Sequence, residues 1–337
     1  MVKYLSIIGL LGTLLSACST AEPIESAKSS VPVVYSKEYK ISLLGLEKLH
    51  PFDIAKYDKI YAQLKKEGWV NEKNSHTPET LTRKQLRLIH TEAYIQSWKK
   101  SRNLARYLEA PQMATIPGSL LQNSVVKRFQ LASGGTLHAA RLALKSGVAV
   151  NLGGGYHHAK PDSGEGFCLI ADVPIAIRQL QQEKKIRRAL IIDTDAHQGN
   201  GTIVCLANDP STYSFSMHES GIYPEPKEKG DWDIGLAAGV TDASFLGTLK
   251  KSLPTMFARA RPDIVFHVAG CDTLAGDPLA NIAMTHEGIA KRDAMIAAYC
   301  KKKKIPYVMT MAGGYSKNAW KAQYGGILEV MKVYGEK

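Results

Sequence analysis

Two adjacent histidines, His157 and His158, follow three consecutive glycines and precede a Lys-Pro loop. On a regular helix or strand, neighbouring side chains point in different directions. On an irregular glycine-rich turn, both imidazoles can face one pocket. Imidazole transfers protons near neutral pH and binds metal ions, so this pair is a candidate for chemistry if other reactive side chains accompany it.

Small or reactive side chains also follow four other short apolar runs of the chain. Ligands of open α/β sheets bind beyond the carboxyl ends of the strands. We therefore expect the histidine pair and these four clusters to converge on one crevice. The clusters are residues 193–200, His218 with Glu219, residues 270–272 and residues 313–315.

Three residues of these clusters, Asp195, His197 and Asp272, combine two carboxylates with one imidazole. Such a set, with one position left for water, is an open catalytic zinc arrangement. Asp195 and His197 are two residues apart, a spacing that lets both reach one ion from a loop leaving a strand. Asp193 lies two residues earlier, where it can orient a histidine from behind.

The remaining groups suit hydrolysis of an amide by metal-activated water. That reaction needs a base for the water proton and an acid for the leaving amine, and His157 and His158 can provide both. It also needs a donor to the oxyanion, which Tyr315 can supply from a Gly-Gly-Tyr loop. Each motif alone is typical of ordinary turns, but their joint occurrence at successive strand ends favours a catalytic site.

The elements that must position these residues alternate between apolar runs and charged amphipathic segments. Such alternation predicts strands and helices in turn, and hence a parallel sheet covered on both faces. The fold class is therefore α/β and three-layer, with a mainly parallel central sheet and helices on both faces. The predicted strands are residues 147–152, 189–192, 212–217, 264–268 and 307–311, and predicted helices include 174–185, 244–260 and 286–302.

Composition limits the number of domains and the kinds of partner. The 337 residues are 45% hydrophobic, enough for one large α/β domain or two ordinary ones. The formal net charge is +12, but no nucleic-acid motif accompanies it, so we expect no nucleic-acid partner. The cysteines after the N-terminal region have no CxxC spacing and lie in or beside apolar runs, which predicts single buried thiols. They are Cys168, Cys205, Cys271 and Cys300.

The N-terminus has the pattern of an export signal. Lys3 precedes a short apolar run that ends in Leu-Ser-Ala-Cys at Cys18. This run is too short to span a bilayer, and the whole pattern is typical of a secretory signal. The end of this run resembles a bacterial lipobox, so we predict a signal peptide at 1–17 and a lipidated Cys18 that anchors the chain to a membrane. Since Ser19 follows the cysteine, the predicted location is the bacterial cell envelope, on the periplasmic face of the outer membrane. A buried N-terminal strand or helix with an incidental cysteine is the alternative.

Several stretches are similar to the zinc-dependent histone deacetylases of the arginase/deacetylase fold, and in particular to their class IV branch. They are residues 39–41 with 45–53, 153–158, 193–201 and 289–293. The resemblance covers one deacetylase-like catalytic domain over 34–337, behind a flexible tether over 18–33. It implies one Zn²⁺ per chain, hydrolysis of an N-acyl amide on lysine, and an acyl-lysine peptide or an acylated small amine as substrate.

The resemblance also assigns a role to each reactive residue. Three ligands hold the zinc: Asp195, His197 and Asp272. His158 is the main general base and acid, and His157, paired with Asp193, is its electrostatic partner. Tyr315 polarises the acyl carbonyl.

A tunnel for the acyl-lysine stem is a further implication of the resemblance. The residues that it assigns to substrate binding are Gly155, Gly166, Phe167 and Tyr223. Gly166 and Phe167 line one wall, and Tyr223 lies opposite. Family members also bind a monovalent cation such as K⁺, near positions that here are Asp193, His197 and Ser216.

Asn200 departs from the better-known class I pattern, which has an aspartate behind the second histidine. A neutral amide leaves His158 less basic than a carboxylate would. This asparagine is typical of the class IV branch, so Asn200 belongs with the catalytic residues.

Three alternatives bear on the function. An arginase-like two-metal hydrolase shares the fold, but Gly199 and Gly270 replace the extra ligands that it needs, so one metal is predicted. A non-catalytic acyl-amine binding protein would tolerate loss of Tyr315 or of a histidine, whereas all are present. An acylpolyamine amidohydrolase would share every catalytic residue and differ in the rim loops. Class IV relatives remove long fatty acyl groups from lysine. We hypothesise the same preference here, and a closed pocket at the foot of the tunnel, beneath the metal, would count against it.

Overall fold

Most of the strands form where short runs of β-branched and apolar residues occur. In a computed structural model, which describes residues 27–43 and 45–335, eight strands pair into one sheet. The five predicted strands are confirmed, with small shifts at their ends. The strands are β1 (Val33–Val34), β2 (Ser75–His76), β3 (Val148–Asn151), β4 (Ala189–Asp193), β5 (Thr212–Glu219), β6 (Trp232–Leu236), β7 (Ile264–Val268) and β8 (Tyr307–Thr310).

All neighbouring strands of this sheet are parallel, in the order β2-β1-β3-β8-β7-β4-β5-β6. The central strands β4 and β7 are buried along their whole length, as expected of parallel strands covered on both faces. Because the strands run in one direction, their carboxyl ends meet at one edge of the sheet. The reactive clusters at the ends of β3, β4, β5, β7 and β8 therefore lie along this edge.

Long amphipathic segments supply the helices, and the three predicted ones are confirmed as α7, α9 and α10. Parallel strands require crossover connections, and helices usually make them. The helices are α1 (Lys56–Lys66), α2 (Arg83–Leu86), α3 (Glu92–Ser97), α4 (Ser101–Tyr107), α5 (Gly118–Leu121), α6 (Lys127–Ser146), α7 (Asp172–Gln182), α8 (Asn200–Leu206), α9 (Asp242–Ala260), α10 (His286–Lys303) and α11 (Ala319–Gly335).

Two hydrophobic cores form because alternate residues of a strand point to opposite faces of the sheet. Leu190 and Ile192 of β4 pack in one core with α1, α9, α10 and α11. Ala189 and Ile191 of the same strand pack in the other core, with α2 to α7. The predicted α/β class, with helices on both faces of a parallel sheet, is thereby confirmed.

The N-terminal part of the described chain packs onto the domain before residue 34. The backbone N–H of Lys28 donates to the Gly68 carbonyl at 2.9 Å, and Val31 is buried in the core. The predicted signal peptide, Cys18 and the first part of the tether lie outside the described residues. Among the described helices, none is both long and apolar enough to cross a bilayer.

The cysteines of the described residues are all free, as predicted. Cys168, Cys271 and Cys300 are buried, and Cys205 is half-buried. Burial raises the pKa of the Cys205 and Cys271 thiols to about 12. These thiols are therefore protonated at neutral pH and behave as small packing groups.

Candidate active site

The loop after β3 brings both histidines to one place. Gly154 and Gly155 have φ of 70° and 76°, a left-handed conformation that glycine adopts without strain. The carboxylate of Asp172 accepts the backbone N–H groups of Gly155 at 2.9 Å and of the following tyrosine at 2.8 Å. The rings of His157 and His158 then lie 4.0 Å apart between centroids, and both line one cavity.

The two imidazoles have different partners, one at the end of β4 and the other at the start of α8. Nδ1–H of His157 donates to Asp193 Oδ2 at 2.7 Å, and Nδ1 of His158 lies 2.7 Å from Asn200 Oδ1. Burial lowers the pKa of His157, but Asp193 and Asp195 outweigh it and raise that pKa to about 9. Burial, reinforced by the neighbouring histidines, holds the pKa of His158 well below its usual range. The pKa values of the two adjacent rings are therefore shifted in opposite directions.

The predicted metal ligands converge beside this pair. Asp195, His197 and Asp272 are all buried, and one ligand atom of each lies within 4.8 Å of the others. Nδ1 of His197 lies 2.9 Å from Asp272 Oδ2 and 3.2 Å from Asp195 Oδ1. In the described part of the chain, no other group of three such side chains has this geometry.

The chemistry of this donor set fits a divalent cation. Burial and the nearby Asp195 carboxylate raise the pKa of Asp272 to about 7, because two buried like charges are costly without a counter-charge. Glycines leave room around them: a Cβ at Gly270 or Gly313 would lie 2.0 Å or 2.5 Å from Asp195 Oδ2. Two carboxylates and one imidazole in this arrangement could hold a metal ion.

A buried arginine holds the two loops that carry these ligands. Arg292 is fully buried in α10, and its Nη1 donates to the carbonyls of Gly270 at 2.6 Å and Thr194 at 3.2 Å. Its Nε donates to Asp293 Oδ1 at 2.7 Å, which balances the charge. The stretch 289–293, which resembles the deacetylases in sequence, therefore supports the predicted metal ligands from behind.

Tyr315 reaches the same cavity from the loop after β8. Its ring centroid lies 6.2 Å from that of His197. Gly314 before it has φ of 121°, and a Cβ there would lie 2.2 Å from the Cys271 sulfur. Oδ2 of Asp277 accepts the Tyr315 backbone N–H at 2.8 Å, so this carboxylate fixes the loop that presents the phenol.

Lys56 supports the same loop from beneath. It is 1% exposed, and its Nζ donates to the carbonyls of Ala312 at 2.9 Å and Gly313 at 3.1 Å. The ammonium also lies 4.2 Å from the centroid of the Phe52 ring, a cation–π contact. Burial lowers the pKa of Lys56.

Three of the residues predicted to bind substrate, Gly155, Gly166 and Phe167, line the cavity, and Tyr223 lies beside it, so we call the region around Phe167 and Tyr223 the mouth. The ring of Phe167 lies 5.8 Å from that of Tyr315, and the ring of Tyr223 lies 5.0 Å from that of His158. A Cβ at Gly166 would lie 2.4 Å from the His158 ring, so only glycine fits there. Gly155 lies deeper, in the cavity wall.

One wall of the cavity is largely apolar, and the volume of the whole cavity is about 100 Å³. Its apolar wall is formed by the segment before α1, by the segment around α4 and α5, and by α6. The apolar residues of this wall are Ile41, Leu43, Leu46, Ile54, Leu108, Met113, Val125 and Phe129. This apolar wall belongs to the same cavity as the two histidines and Tyr315.

Not every reactive residue of the five clusters enters the site. His218 Nδ1 lies 2.9 Å from Ser216 Oγ, and Glu219 accepts from the Asn281 backbone and side chain. Ser216 pairs with Asp193 across β5 and β4, the neighbourhood expected for the monovalent cation. The other predicted site residues of the described chain lie around the metal ligands or the cavity.

Sequence reasoning missed the carboxylates that hold the loops. Asp172 lies at the start of α7, and Asp277 lies in the loop after β7. Acidic residues at helix starts and in loops are common on protein surfaces. Glu165, which contacts Asn200, was missed as well. The available signal was their position within a few residues of a glycine turn, which alone does not separate them from ordinary surface residues.

Comparison with known proteins gives relatives over most of the chain. Residues 50–331 match the histone deacetylase domain family. The chain is 36% identical to histone deacetylase 2 of Arabidopsis thaliana, over 86% of this chain and 76% of that protein. It is 29% identical to the acetoin utilization protein AcuC of Bacillus subtilis, over 89% of this chain and 78% of that protein. The crystal structure of the HDA15 HD domain has the same fold, with a TM-score of 0.72 at 20% identity and 91% of each chain covered.

Proposed function

This chain belongs to the histone deacetylase family, and on that premise we propose that it is a zinc-dependent hydrolase that removes an acyl group from the side-chain amine of lysine. The reaction consumes one water molecule, breaks the amide bond, and yields a carboxylate and a free amine. One observation carries the proposal. The rings of His158 and Tyr315, which line one cavity, lie 6.1 Å and 6.2 Å from the ring of His197 in the buried donor set.

Zinc would be held by Asp195, His197 and Asp272, where, when bound, it would polarise the acyl carbonyl and lower the pKa of a water molecule. The neutral ring of His158 accepts the proton of the attacking water and later delivers it to the leaving amine. His157 stays cationic beside Asp193 and stabilises the negative charge that develops on the tetrahedral oxyanion.

Tyr315 completes the site as a donor to the oxyanion. Burial and the nearby carboxylates hold the pKa of this phenol well above its usual range, so the hydroxyl keeps its proton at the pH of the reaction. A preorganised donor of this kind lowers the barrier, since it needs no reorganisation when charge develops. Asp277 and Lys56 keep the loop in place through its backbone.

The mouth of the cavity supports an alkyl-amine stem as the substrate portion. Phe167 and Tyr223 present aromatic rings near the histidines, and Gly166 lets the wall approach His158 closely. Methylene groups pack well between aromatic faces. A lysine side chain in this position places its acylated nitrogen beside the two histidines.

The apolar wall of the cavity supports an acyl group longer than acetyl. Its residues are mainly aliphatic, and burial of each methylene group gains about 0.8 kcal/mol. Together with Asn200 in place of an aspartate, this favours the class IV branch. A monovalent cation near Ser216 belongs to the same proposal.

For the N-terminus we propose lipidation at Cys18 after removal of residues 1–17. The chain would then be tethered to the bacterial cell envelope, on the periplasmic face of the outer membrane. Mass spectrometry of the N-terminal peptide tests this, because an acylated Cys18 adds the mass of its lipid. An unmodified N-terminus that retains Met1 would contradict it.

Turnover of matched lysine peptides tests the function itself. The full chain, purified in detergent and loaded with zinc, is given the same peptide carrying an acetyl or a long-chain acyl group. We expect release of the acyl group, faster for the long chain, and loss of about 10²-fold or more in kcat for Tyr315→Phe. Hydrolysis of an acylated polyamine alone would favour the acylpolyamine hydrolase, and tight binding of both peptides without turnover would favour a binding protein.

A further inference from the structure

A tight turn at residues 165–168 connects the cavity mouth to the residue behind His158. The backbone N–H of Cys168 donates to the Glu165 carbonyl at 2.9 Å, and the two residues between them have φ of 53° and 64°. A positive φ, as at Phe167, is unusual for an aromatic residue. Residues in such sparsely populated conformations cluster at functional sites. The turn presents Phe167 to the cavity and Glu165 to Asn200.

Glu165 makes a direct hydrogen bond to the Asn200 side chain. Asn200 Nδ2 donates to Glu165 Oε1 at 2.5 Å, while Asn200 Oδ1 lies 2.7 Å from His158 Nδ1. Asn200 and His158 are 1% and 3% exposed. His158 is therefore joined to a carboxylate through one amide, whereas His157 contacts its carboxylate directly.

This chain of contacts fixes which proton lies where. A carboxylate only accepts hydrogen bonds, so the amide must turn its Nδ2–H₂ toward Glu165. Its oxygen then faces His158, and Nδ1 of that ring must carry a proton to donate. The Nε2 atom is left with its lone pair, on a ring that lines the cavity.

Without Glu165, nothing in these contacts distinguishes the two ends of the amide. A flipped Asn200 would donate to His158 Nδ1 and favour the opposite tautomer, with the proton on Nε2. That tautomer cannot accept a proton from water at Nε2. An aspartate at position 200 needs no such control, since both of its oxygens accept.

We propose that Glu165 is a positioning residue: it fixes the Asn200 amide and thereby holds His158 in the tautomer that leaves Nε2 free to accept a proton. The inference rests on the proposed function for its kinetic consequence, but the tautomer itself is a property of the protein without substrate. Lys160 Nζ lies 3.2 Å from Glu165 Oε1 and balances its charge at the rim.

Kinetics of two substitutions at this position, with the full chain and the acyl-lysine peptide, test the proposal. Glu165→Ala should lower kcat by about 10–100-fold, because the amide loses its orientation. Glu165 also contacts the Tyr223 hydroxyl, but the Tyr223 ring stays at the mouth, so KM should change less than about two-fold. Glu165→Gln retains an accepting oxygen and should fall in between. Glu228→Ala is the matched control, since it removes the other carboxylate near Lys160, 3.8 Å away, and should leave kcat unchanged.

Reversal of the two groups gives a sharper test. With Asp at position 200, Glu165 places two carboxylates against each other, so Asn200→Asp alone should be less active than Asn200→Asp/Glu165→Gln. Replacement of Glu165 by Gln is thus expected to lower kcat in the natural background and to raise it in the Asn200→Asp background. The same sign of effect in both backgrounds would overturn the proposal.

The tautomer of His158 provides a readout that does not need activity. Long-range ¹H–¹⁵N spectra of the full chain labelled at histidine, with the His158 signals identified from His158→Gln, should show a proton on Nδ1 only. In Glu165→Ala, we expect signals of both tautomers. Zinc content and unfolding temperature close to those of the natural chain exclude a folding defect.

The outcomes separate this inference from the proposed function. If the natural chain hydrolyses no acyl-lysine peptide, the proposed function fails, and the tautomer spectra alone decide the role of Glu165. An unchanged tautomer in Glu165→Ala overturns the proposal whatever the kinetics. A rise in KM without a fall in kcat also overturns it, because Glu165 would then act on substrate charge at the mouth.

Discussion

Acidification should destabilise this protein through His90, a buried histidine beside the loop that leads to Glu165. Its Nδ1 lies 3.0 Å from the Lys160 carbonyl, and its Nε2 lies 3.0 Å from the backbone nitrogen of Ala171. A carbonyl accepts and an amide N–H donates, so the ring must be neutral with its proton on Nδ1. Protonation of Nε2 would set two donors against each other in a position that is 2% exposed.

The magnitude of the effect follows from the pKa of this ring. Burial, opposed by the neighbouring carbonyls, lowers the pKa of His90 from 6.5 to about 4. At pH 7 both the folded and the unfolded chain hold this ring neutral, so stability is at its full value. As the pH falls through 6.5, the unfolded chain binds a proton that the folded chain does not, and stability is lost until about pH 4. The loss is about 2 kcal/mol at pH 5 and about 3 kcal/mol in full.

Urea unfolding at pH 7 and pH 5, followed by circular dichroism, measures this loss as a difference between variants. His90→Gln should be less stable at pH 7 by about 1–3 kcal/mol, since one of two buried hydrogen bonds is lost. Its further loss between pH 7 and pH 5 should be about 2 kcal/mol smaller than that of the natural chain. His286→Gln removes an exposed histidine and should behave like the natural chain. Equal acid sensitivity in His90→Gln and the natural chain would refute the reasoning.

The site yields three more expected outcomes. Removal of zinc by a chelator should lower the unfolding temperature, and re-addition of zinc should restore it, because a ligand that binds only the folded state stabilises that state by mass action. Calorimetry measures the unfolding temperature, and an unchanged value would contradict this prediction. Arg292→Leu should weaken zinc affinity about 10–100-fold, because the carbonyls of Gly270 and Thr194 lose their donor. Titration against a chromophoric chelator measures the affinity, and an unchanged value would count against a supporting role for Arg292. Asp277→Asn should lower kcat about 10–100-fold with little change in KM, since the amide disturbs the Tyr315 backbone contact; steady-state kinetics with normal zinc content decides it.

The central strands could be predicted because burial on both faces leaves a run of apolar residues in the sequence. The strands at and near the edges of the sheet have no such apolar run in the sequence. β1 and β2 contain two residues each, which is shorter than any pattern, and β6 is half-exposed along most of its length. These strands are determined by pairing with a neighbour, a property of the folded chain.

Helix α6 shows how a local signal can mislead. Gly134 and Gly135 lie in its middle, where adjacent glycines favour a break in the helix. In the structure, a Cβ at Gly134 would lie 1.8 Å from the Glu79 carbonyl oxygen, and one at Gly135 would lie 2.0 Å from the Tyr39 hydroxyl. The glycines are there for close approach of other segments, and packing overrides their low helix propensity.

The reactive residues of the site and the direct partners of the histidines, Asp193 and Asn200, could be anticipated, whereas the residues that hold the loops could not. Asp195 and Tyr315 lie in loops that follow apolar strands, so the edge of a parallel sheet predicts where they lie. Asp172 and Asp277 act on backbone groups that are distant in the sequence. Their residue type is ordinary for a surface, and only the folded structure shows that they are buried against a loop.

The two histidines have unequal partners. A carboxylate in direct contact raises the pKa of an imidazole, as Asp193 does for His157. His158 contacts the neutral amide of Asn200 instead, and the carboxylate of Glu165 lies beyond that amide. An aspartate at position 200 would make His158 more basic and would orient it without help, whereas the amide leaves the ring less basic and depends on Glu165 for its orientation. The difference between Asp193 and Asn200 is therefore expected to give the two adjacent imidazoles different basicity, and with it different parts in the proposed reaction.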